Sequence, residues 1–298
     1  MQDNRYQLNK RLLQSAFNRA ARGYDDAALL QREVGMRMLE RLDLMRLNPA
    51  LIVDAGAGTG LHTRALARRY KNATVLALDI SVDMLREAQR QTVFWHRWFD
   101  RRRPFVCGDI DALPLRAASV DMIFSNLTLQ WCNDLDRTLG ELRRALKPGG
   151  LLMFSTFGPD TLKELRASWA HVDERNHVNA FLDMHDIGDA LVRARFVSPV
   201  MDVERYTLTY PDVYALMRDL KAIGAHNVTA GRAHGLTGKG RLHTLSVAYE
   251  GWRQDGVLPA SYEVVYGHAW VAEDDVAQQS SDGTIRIPLA SLRGRKES

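Results

Sequence analysis

Three glycines within five positions follow a short apolar run in the stretch LIVDAGAGTGLHT, residues 51–63. Because glycine lacks a Cβ, a turn built from Gly56, Gly58 and Gly60 lets a ligand approach the bare backbone. A dinucleotide fingerprint needs a further small residue where Leu61 stands, and no Gly-Lys-Ser/Thr of a phosphate-binding loop follows. The pattern therefore favours a ligand other than a phosphate.

Four consecutive predicted strands end in a carboxylate or a small polar residue. Asp54 ends the first strand, where its charge suits a cationic ligand and repels an anionic one. Asp79 ends the second, where a carboxylate can accept hydrogen bonds from ribose hydroxyls, and Asp109 follows the third, where it can bind the amine of adenine. Asn126 closes the fourth. The set predicts a site for S-adenosylmethionine, which carries a sulfonium and an ammonium but no phosphate.

The elements that must hold these residues alternate from Leu51 to Phe157. Five short apolar runs predict strands and the amphipathic segments between them predict helices, which together indicate a doubly wound α/β fold with a parallel sheet. Ahead of this region, Leu13, Phe17 and Tyr24 fall at helical spacing and predict an N-terminal helix. We interpret Phe17 as a core aromatic.

Beyond Phe157 the alternation is interrupted. Helices are predicted at TLKELRASWAHVD, MHDIGDALVRARF, PDVYALMRDLKAIGA and RLHTLSVAYEGWRQDG, and strands at VMDVERYTLTY and SYEVVYGHAWVAE. We interpret this material as a helical insertion that covers the site. The expected division is an N-terminal helical lid at 1–48, a ligand-binding core at 49–158, a substrate cap formed by the insertion and last strands at 159–272, and a flexible tail at 273–298.

Composition excludes several classes of protein. With 298 residues, 46% hydrophobic and 26% charged, the chain is typical of a globular enzyme, and no apolar run approaches the ~20 residues of a membrane span. Two cysteines, Cys107 (expected to be buried) and Cys132, lack metal or disulfide-framework spacing, and with no secretory signal they predict a cytoplasmic protein. The net charge of +4 permits an acidic partner, but no basic stripe predicts nucleic-acid binding.

The motifs DAGAGTG, LDIS, GDI and LKPGG resemble those of class I S-adenosylmethionine-dependent methyltransferases across residues 50–157. The resemblance implies a Rossmann-like, seven-stranded, mostly parallel sheet with helices on both faces, and VVYGHAWV would supply its reversed strand. The cofactor-binding residues that it implies are Asp54, Gly56, Gly58, Gly60, Asp79, Ile80, Met84, Asp109, Ile110 and Asn126.

Longer strings resemble one family within this class. FNRAARGYDDAALLQREV, SNLTLQWCND, FSTFGPDTLKELR, HVNAFLDMHDIGDAL and TYPDVYALMRDLKAIGAHN are similar to the malonyl-acyl carrier protein O-methyltransferases of biotin synthesis, across nearly the whole chain to Ala272. That family methylates the free carboxylate of a malonyl thioester. The resemblance therefore implies acyl carrier protein or coenzyme A as the carrier of the substrate. No metal is expected, because the sequence has no cluster of Cys or His residues with metal-ligand spacing.

A carboxylate acceptor has a pKa near ~4 and is ionised at neutral pH, so its methylation needs no general base. We therefore expect a lid and an orienting cation but no catalytic triad. Tyr24 is the lid candidate, and Gln130, next to Trp131, follows the fourth strand closely. Arg218 and Lys221, three residues apart on one helix, are the candidate carboxylate anchors and carrier-docking residues.

Several alternatives remain open from the sequence. Arg166 is a further candidate anchor, while Arg218 and Lys221 can equally form a solvated helix face. Trp131 can equally be a packing residue. The acceptor can instead be another small acid or a quinone, and the chain also shares GPDTLKELR in part with methyltransferase-fold assembly factors of respiratory complexes, which act on a protein partner.

Overall fold

Seven strands form one mixed sheet in the order β3-β2-β1-β4-β5-β7-β6. We describe it from a computed structural model covering residues 7–92, 104–175, 177–225, 228–229 and 238–273, with the backbone of 278–279 and 285–286. The strands are β1 Leu51–Ala55, β2 Thr74–Asp79, β3 Phe105–Cys107, β4 Val120–Ser125, β5 Leu146–Phe157, β6 Phe196–Tyr210 and β7 Leu258–Val271, and a short pair follows, β8 Gln278–Gln279 with β9 Ile285–Arg286.

Helices cover both faces of this sheet. In chain order they are α1 Lys10–Ala20, α2 Tyr24–Ala27, α3 Leu29–Arg41, α4 Leu61–Arg69, α5 Val82–Arg90, α6 Leu135–Ala145, α7 Lys163–Ala170, α8 Met184–Arg193, α9 Val213–Ala222 and α10 Lys239–Glu250. Within the described part of the chain, no helix has both the length and the apolar character that a membrane span requires.

The continuous apolar sequence of the central strands reflects their burial on both faces of the sheet. β1 is apolar on both faces because Ile52 packs into the core on one side of the sheet and Val53 into the core on the other. β1 pairs in parallel with β2 and β4, so the strand order reverses beside it. In open α/β sheets, the crevice at this reversal is where ligands bind.

The reversed strand predicted from VVYGHAWV is present. β7 pairs antiparallel with β5 on one side and with β6 on the other. The class I fold predicted from the sequence is therefore confirmed.

The segment after β5 contributes both to the sheet and to the surroundings of the site. β6 and β7 complete the sheet, and α8 packs on α6 and β6 as part of its covering layer. In contrast, α7 packs on β7 and α10, while α9 packs on α2 and β6. The predicted division of the chain at 48, 158 and 272 stays a prediction. The predicted flexible tail lies outside the described residues except for Glu273 and the backbone of β8 and β9.

Candidate active site

The glycine turn after β1 has a left-handed backbone. Gly56 and Gly58 have φ of +82° and +54°, a conformation that L side chains adopt rarely. A Cβ on Gly56 would lie 2.0 Å from Thr128 Oγ1, so the close approach of that loop requires glycine. A Cβ on Gly58 would meet only Tyr24, at 4.0 Å, because this part of the turn faces an open cavity.

Asp79, at the end of β2, holds the same turn. Its Oδ2 accepts a hydrogen bond of 2.8 Å from the Gly58 N–H, and its Oδ1 accepts one of 2.8 Å from the Ser81 N–H. Burial raises the pKa of Asp79 to about 6, against the opposing effect of these two hydrogen bonds. The carboxyl group nevertheless lines the cavity, so it can accept hydrogen bonds from a ligand.

Asp54, at the end of β1, lies behind the turn. The Thr63 hydroxyl donates to its Oδ2 over 2.5 Å, and both residues are buried. Burial raises the pKa of Asp54 to about 7, which the Thr63 hydrogen bond partly opposes. Asp54 and Gly60 do not line the cavity, so any contribution to ligand binding is made through the shape and charge of the turn.

The first cavity lies over the carboxyl ends of β1, β2, β3 and β4 and encloses about 790 Å³, counting its open mouth. Eight of the ten predicted cofactor residues line it, together with both Tyr24 and Gln130. They are Gly56, Gly58, Asp79, Ile80, Met84, Asp109, Ile110 and Asn126. The structure thus brings together residues from four strand ends, as the sequence predicts.

Helix α1 lies on one side of this cavity, which Lys10, Leu13 and Phe17 line, and its polar face contacts the neighbouring loops. Lys10 Nζ lies 3.0 Å from Asp109 Oδ1 and 2.8 Å from Asp111 Oδ2. One turn later, Gln14 Nε2 donates to the Ile80 carbonyl over 2.7 Å. These contacts hold α1 against the loops that follow β2 and β3.

The same face continues at Asn18, whose Oδ1 accepts a hydrogen bond of 2.6 Å from the Ser81 hydroxyl. Lys10, Gln14 and Asn18 were not predicted as site residues, because the prediction of this helix rested on its apolar face. The signal that could have found them is their spacing of four residues, which puts polar side chains on one face.

A second cavity, of about 1320 Å³ counting its mouth, adjoins the first. Its walls come from α3, α7, α9, the segment 177–181, β6 and β7, and they are mostly apolar. They include Leu30, Leu162, Leu165, Trp169, Val178, Phe181, Leu208, Met217, Leu220 and Tyr262. A cap was predicted here from the sequence, but these wall residues were not.

The two cavities meet at a shared wall. The residues that line both of them are Gln31, Gln130, Trp131, Phe157, Ile223 and Ala225. Gln130 is held there by two hydrogen bonds, since its Nε2 donates to the Leu127 carbonyl over 2.6 Å and its Oε1 accepts from the Thr156 hydroxyl over 3.3 Å. A group bound in one cavity can therefore contact a group bound in the other.

Two aromatic residues of the N-terminal helices, Tyr24 and Phe17, line the first cavity. Tyr24 begins α2 and is half-buried, and burial together with the nearby Asp79 raises the pKa of its phenol, which stays protonated. Phe17, interpreted from the sequence as a core aromatic, lines the first cavity and packs edge-on against Trp131 with ring centroids 5.6 Å apart.

Of the three candidate cations, one lines a cavity and two do not. Lys221 is exposed on α9 and lines the second cavity, whereas Arg218 is exposed and lines neither cavity. Arg166 lines neither cavity and donates to the carbonyls of Pro159 and Thr161 over 2.9 and 3.0 Å, so it supports a loop.

No group of His, Cys, Asp and Glu side chains that could hold a metal ion occurs among the described residues. Both cysteines are free. The expectation that Cys107 is buried is wrong, because this short edge strand leaves its thiol exposed beside the Ile80 carbonyl.

Comparison with known proteins identifies the family. A family model described as a methyltransferase domain matches residues 53–154. The malonyl-[acyl-carrier protein] O-methyltransferase of Gallionella capsiferriformans is 57% identical over 268 residues, covering 90% of this chain and 92% of the relative. The protein of the same name from Methylovorus sp. is 56% identical over 274 residues, covering 91% and 92%. The chain belongs to the malonyl-[acyl-carrier protein] O-methyltransferase family.

A solved structure supports the fold independently of these relatives. A Bacillus halodurans protein assigned to the methyltransferases matches with a TM-score of 0.56 at 15% identity, over 80% of this chain and 98% of that chain. At this identity the match establishes the class I fold alone.

Membership in the malonyl-[acyl-carrier protein] O-methyltransferase family confirms the family predicted from the longer motifs and makes S-adenosylmethionine the cofactor. The first cavity fits this molecule in two respects. Gly58 leaves room for a ligand against the backbone, and Asp79 offers a carboxylate acceptor beside it. The individual contacts of the cofactor-binding residues stay predictions.

Proposed function

We propose that this protein transfers a methyl group from S-adenosylmethionine to the free carboxylate of a malonyl thioester, an early step of biotin (pimeloyl) synthesis. The observation that carries the proposal is the meeting of two cavities at Gln31, Gln130 and Trp131. One cavity has carboxylates at the ends of β2 and β3, and the other is largely apolar and has room for an acyl chain and its carrier arm.

The chemistry requires little of the protein beyond orientation. When bound, S-adenosylmethionine supplies an electrophilic methyl group on a positively charged sulfur. The malonyl carboxylate is already ionised at neutral pH, so no side chain has to remove a proton from it. The residues of the shared wall orient the acceptor and exclude water, which is how such a site accelerates a reaction between two bound groups.

An acyl carrier protein is the proposed carrier of the malonyl group, with coenzyme A as the smaller alternative. The name shared by the relatives supports a carrier-linked substrate. Lys221 at the second cavity and Arg218 nearby on the same helix support attraction of an acidic partner. The two free cysteines support a reducing compartment such as the cytoplasm.

The proposed reaction is tested with S-adenosylmethionine labelled in its methyl group. The protein is incubated with malonyl-carrier protein, malonyl-coenzyme A, acetyl-coenzyme A, free malonate or a quinone precursor. We expect label on the malonyl thioesters and none on acetyl-coenzyme A, which lacks a free carboxylate. Label on free acids or quinones alone would contradict the proposal, and so would tight cofactor binding without any methyl transfer.

Carrier docking is tested by reversing two charges. We expect Arg218→Glu with Lys221→Glu to raise KM for malonyl-carrier protein about tenfold while changing KM for malonyl-coenzyme A much less, because long-range attraction acts on the acidic carrier. Arg68→Glu with Arg116→Glu, two exposed residues that line neither cavity, is the matched control. Equal effects on the two substrates would remove the docking role.

A further inference from the structure

The shared wall of the two cavities carries no charge among the described residues. The lysines that line the cavities are Lys10 and Lys221, and neither belongs to the shared wall. Lys10 is paired with Asp109 and Asp111, and Lys221 is exposed on α9. Among the described residues, a carboxylate placed where the cavities meet would therefore contact neutral hydrogen-bond donors and no fixed cation.

Two of these neutral donors are glutamine side chains, and they differ in what they contact. Gln130 is engaged at both ends of its amide by Leu127 and Thr156. The side-chain amide of Gln31 has no hydrogen-bond partner among the described residues, although Gln31 lines both cavities and is half-buried. Its amide group is therefore free to bind a ligand.

The backbone of Gln31 is fixed in place. Its carbonyl accepts a hydrogen bond of 2.8 Å from Asn126 Nδ2, and Asn126 Oδ1 in turn accepts one of 2.8 Å from the Ser155 hydroxyl. The neighbouring Leu30 and Val34 are buried in the core. A side chain whose backbone is fixed and whose amide has no partner in the described part of the chain is suited to orienting a ligand.

We propose that the Gln31 side-chain N–H donates a hydrogen bond to the free carboxylate of the substrate and orients it where the two cavities meet. The inference rests on the proposed function, because it assigns a carboxylate acceptor to this point. It replaces the orienting cation expected from the sequence with a neutral amide.

A neutral donor suits this acceptor for an energetic reason. The carboxylate loses its negative charge as it becomes an ester, so a fixed cation would bind the starting substrate more tightly than the transition state and slow the reaction. A neutral amide orients the carboxylate but stabilises its ionised form less than a cation would. The reason is that a hydrogen bond from a neutral donor to a carboxylate is weaker than a buried ion pair.

The test uses three variants of the full chain and two measurements. Gln31→Met keeps the length of the side chain and removes its donor, Gln31→Lys supplies a cation, and Gln89→Met, exposed on α5, is the matched control. Steady-state kinetics with malonyl-coenzyme A give kcat and KM. Calorimetry with S-adenosylhomocysteine reports whether the first cavity and the fold are intact.

We expect Gln31→Met to lower kcat/KM by about 10- to 100-fold, the usual effect of one lost hydrogen bond to a charged group, with unchanged S-adenosylhomocysteine affinity. Gln31→Lys should lower both KM and kcat, because a cation binds the ionised substrate more tightly than the transition state. The loss of a purely structural residue would not lower KM. Gln89→Met should behave as the unmodified protein.

Two results would overturn the role of Gln31 while leaving the proposed function standing. One is a Gln31→Met variant as active as the unmodified protein, and the other is a parallel loss of S-adenosylhomocysteine binding, which would place Gln31 in cofactor binding or folding. An unmodified protein that methylates no malonyl thioester would overturn the proposed function, and the role of Gln31 with it.

Discussion

Asp79 shows how one carboxylate can shape a turn and face a ligand at once. It accepts two backbone hydrogen bonds, from Gly58 and Ser81, and its carboxyl group still lines the first cavity. Its position at the end of β2 could be predicted from the sequence, because acidic residues at strand ends reach the edge where ligands bind. The hydrogen bond from the Gly58 N–H could not be predicted, because only the folded turn brings the two residues together.

At this scale we predict a pH dependence of cofactor affinity. The pKa of Asp79 without ligand is about 6, above its ordinary value, and ribose hydroxyls donate to the ionised carboxylate, so binding favours the deprotonated form. Affinity for S-adenosylhomocysteine should therefore be level above about pH 7 and fall below about pH 6, approaching tenfold per pH unit. Calorimetry between about pH 8 and pH 5 measures it.

The variant Asp79→Asn separates this carboxylate from Asp54, whose pKa of about 7 lies in the same range. At about pH 8 the variant should bind S-adenosylhomocysteine roughly 10- to 100-fold more weakly and lose the titration near 6. Asp26→Asn, exposed on α2, is the control. An Asp79→Asn variant with the affinity and pH profile of the unmodified protein would contradict the ribose assignment.

At the scale of single elements, α1 connects the N-terminal segment to the cofactor loops. Asn9 caps the helix by accepting from the N–H groups of Arg11 and Leu12, and Lys10, Gln14 and Asn18 then follow at intervals of four. The helix itself could be predicted from its apolar spacing. Its polar contacts could not, because their partners come from loops that are distant in sequence.

The contribution of the contact between α1 and the loop after β3 can be tested at Lys10. Its ammonium binds Asp109 Oδ1, and Asp109 Oδ2 has no partner among the described residues and so is free to accept from the ligand. We expect Lys10→Met to weaken S-adenosylhomocysteine binding about 3- to 10-fold and to reduce its salt dependence, because the partly buried ion pairs with Asp109 and Asp111 are lost.

The adjacent residue offers a matched control for this prediction. Arg11→Met removes an exposed cation from the same turn of α1 and should leave the affinity and its salt dependence unchanged. Isothermal titration at low and high salt compares the two variants. Equal affinities for Lys10→Met and Arg11→Met would show that the α1 contact does not contribute to cofactor binding.

At the scale of the whole molecule, one sheet carries both cavities. The strands β1 to β5 and the helices α4, α5 and α6 between them could be predicted because each has a local hydrophobic signature, whereas the reversed β7 was implied by the resemblance to class I methyltransferases. The second cavity could not, because its walls combine α3, α7, α9 and β7, which lie far apart in sequence. For the same reason Gln31, thirty residues into the chain, gave no local signal of its position beside Gln130 and Trp131.

In the proposed complex, a methyl donor in the first cavity and a malonyl carboxylate in the second meet at this shared wall. A crystal structure of the protein with S-adenosylhomocysteine and malonyl-pantetheine tests it directly. We predict the ribose at Asp79 and the carboxylate beside Gln31 and Trp131. A nucleoside elsewhere than the first cavity, or a carboxylate paired with Lys221 at the exposed side of the second, would contradict the account.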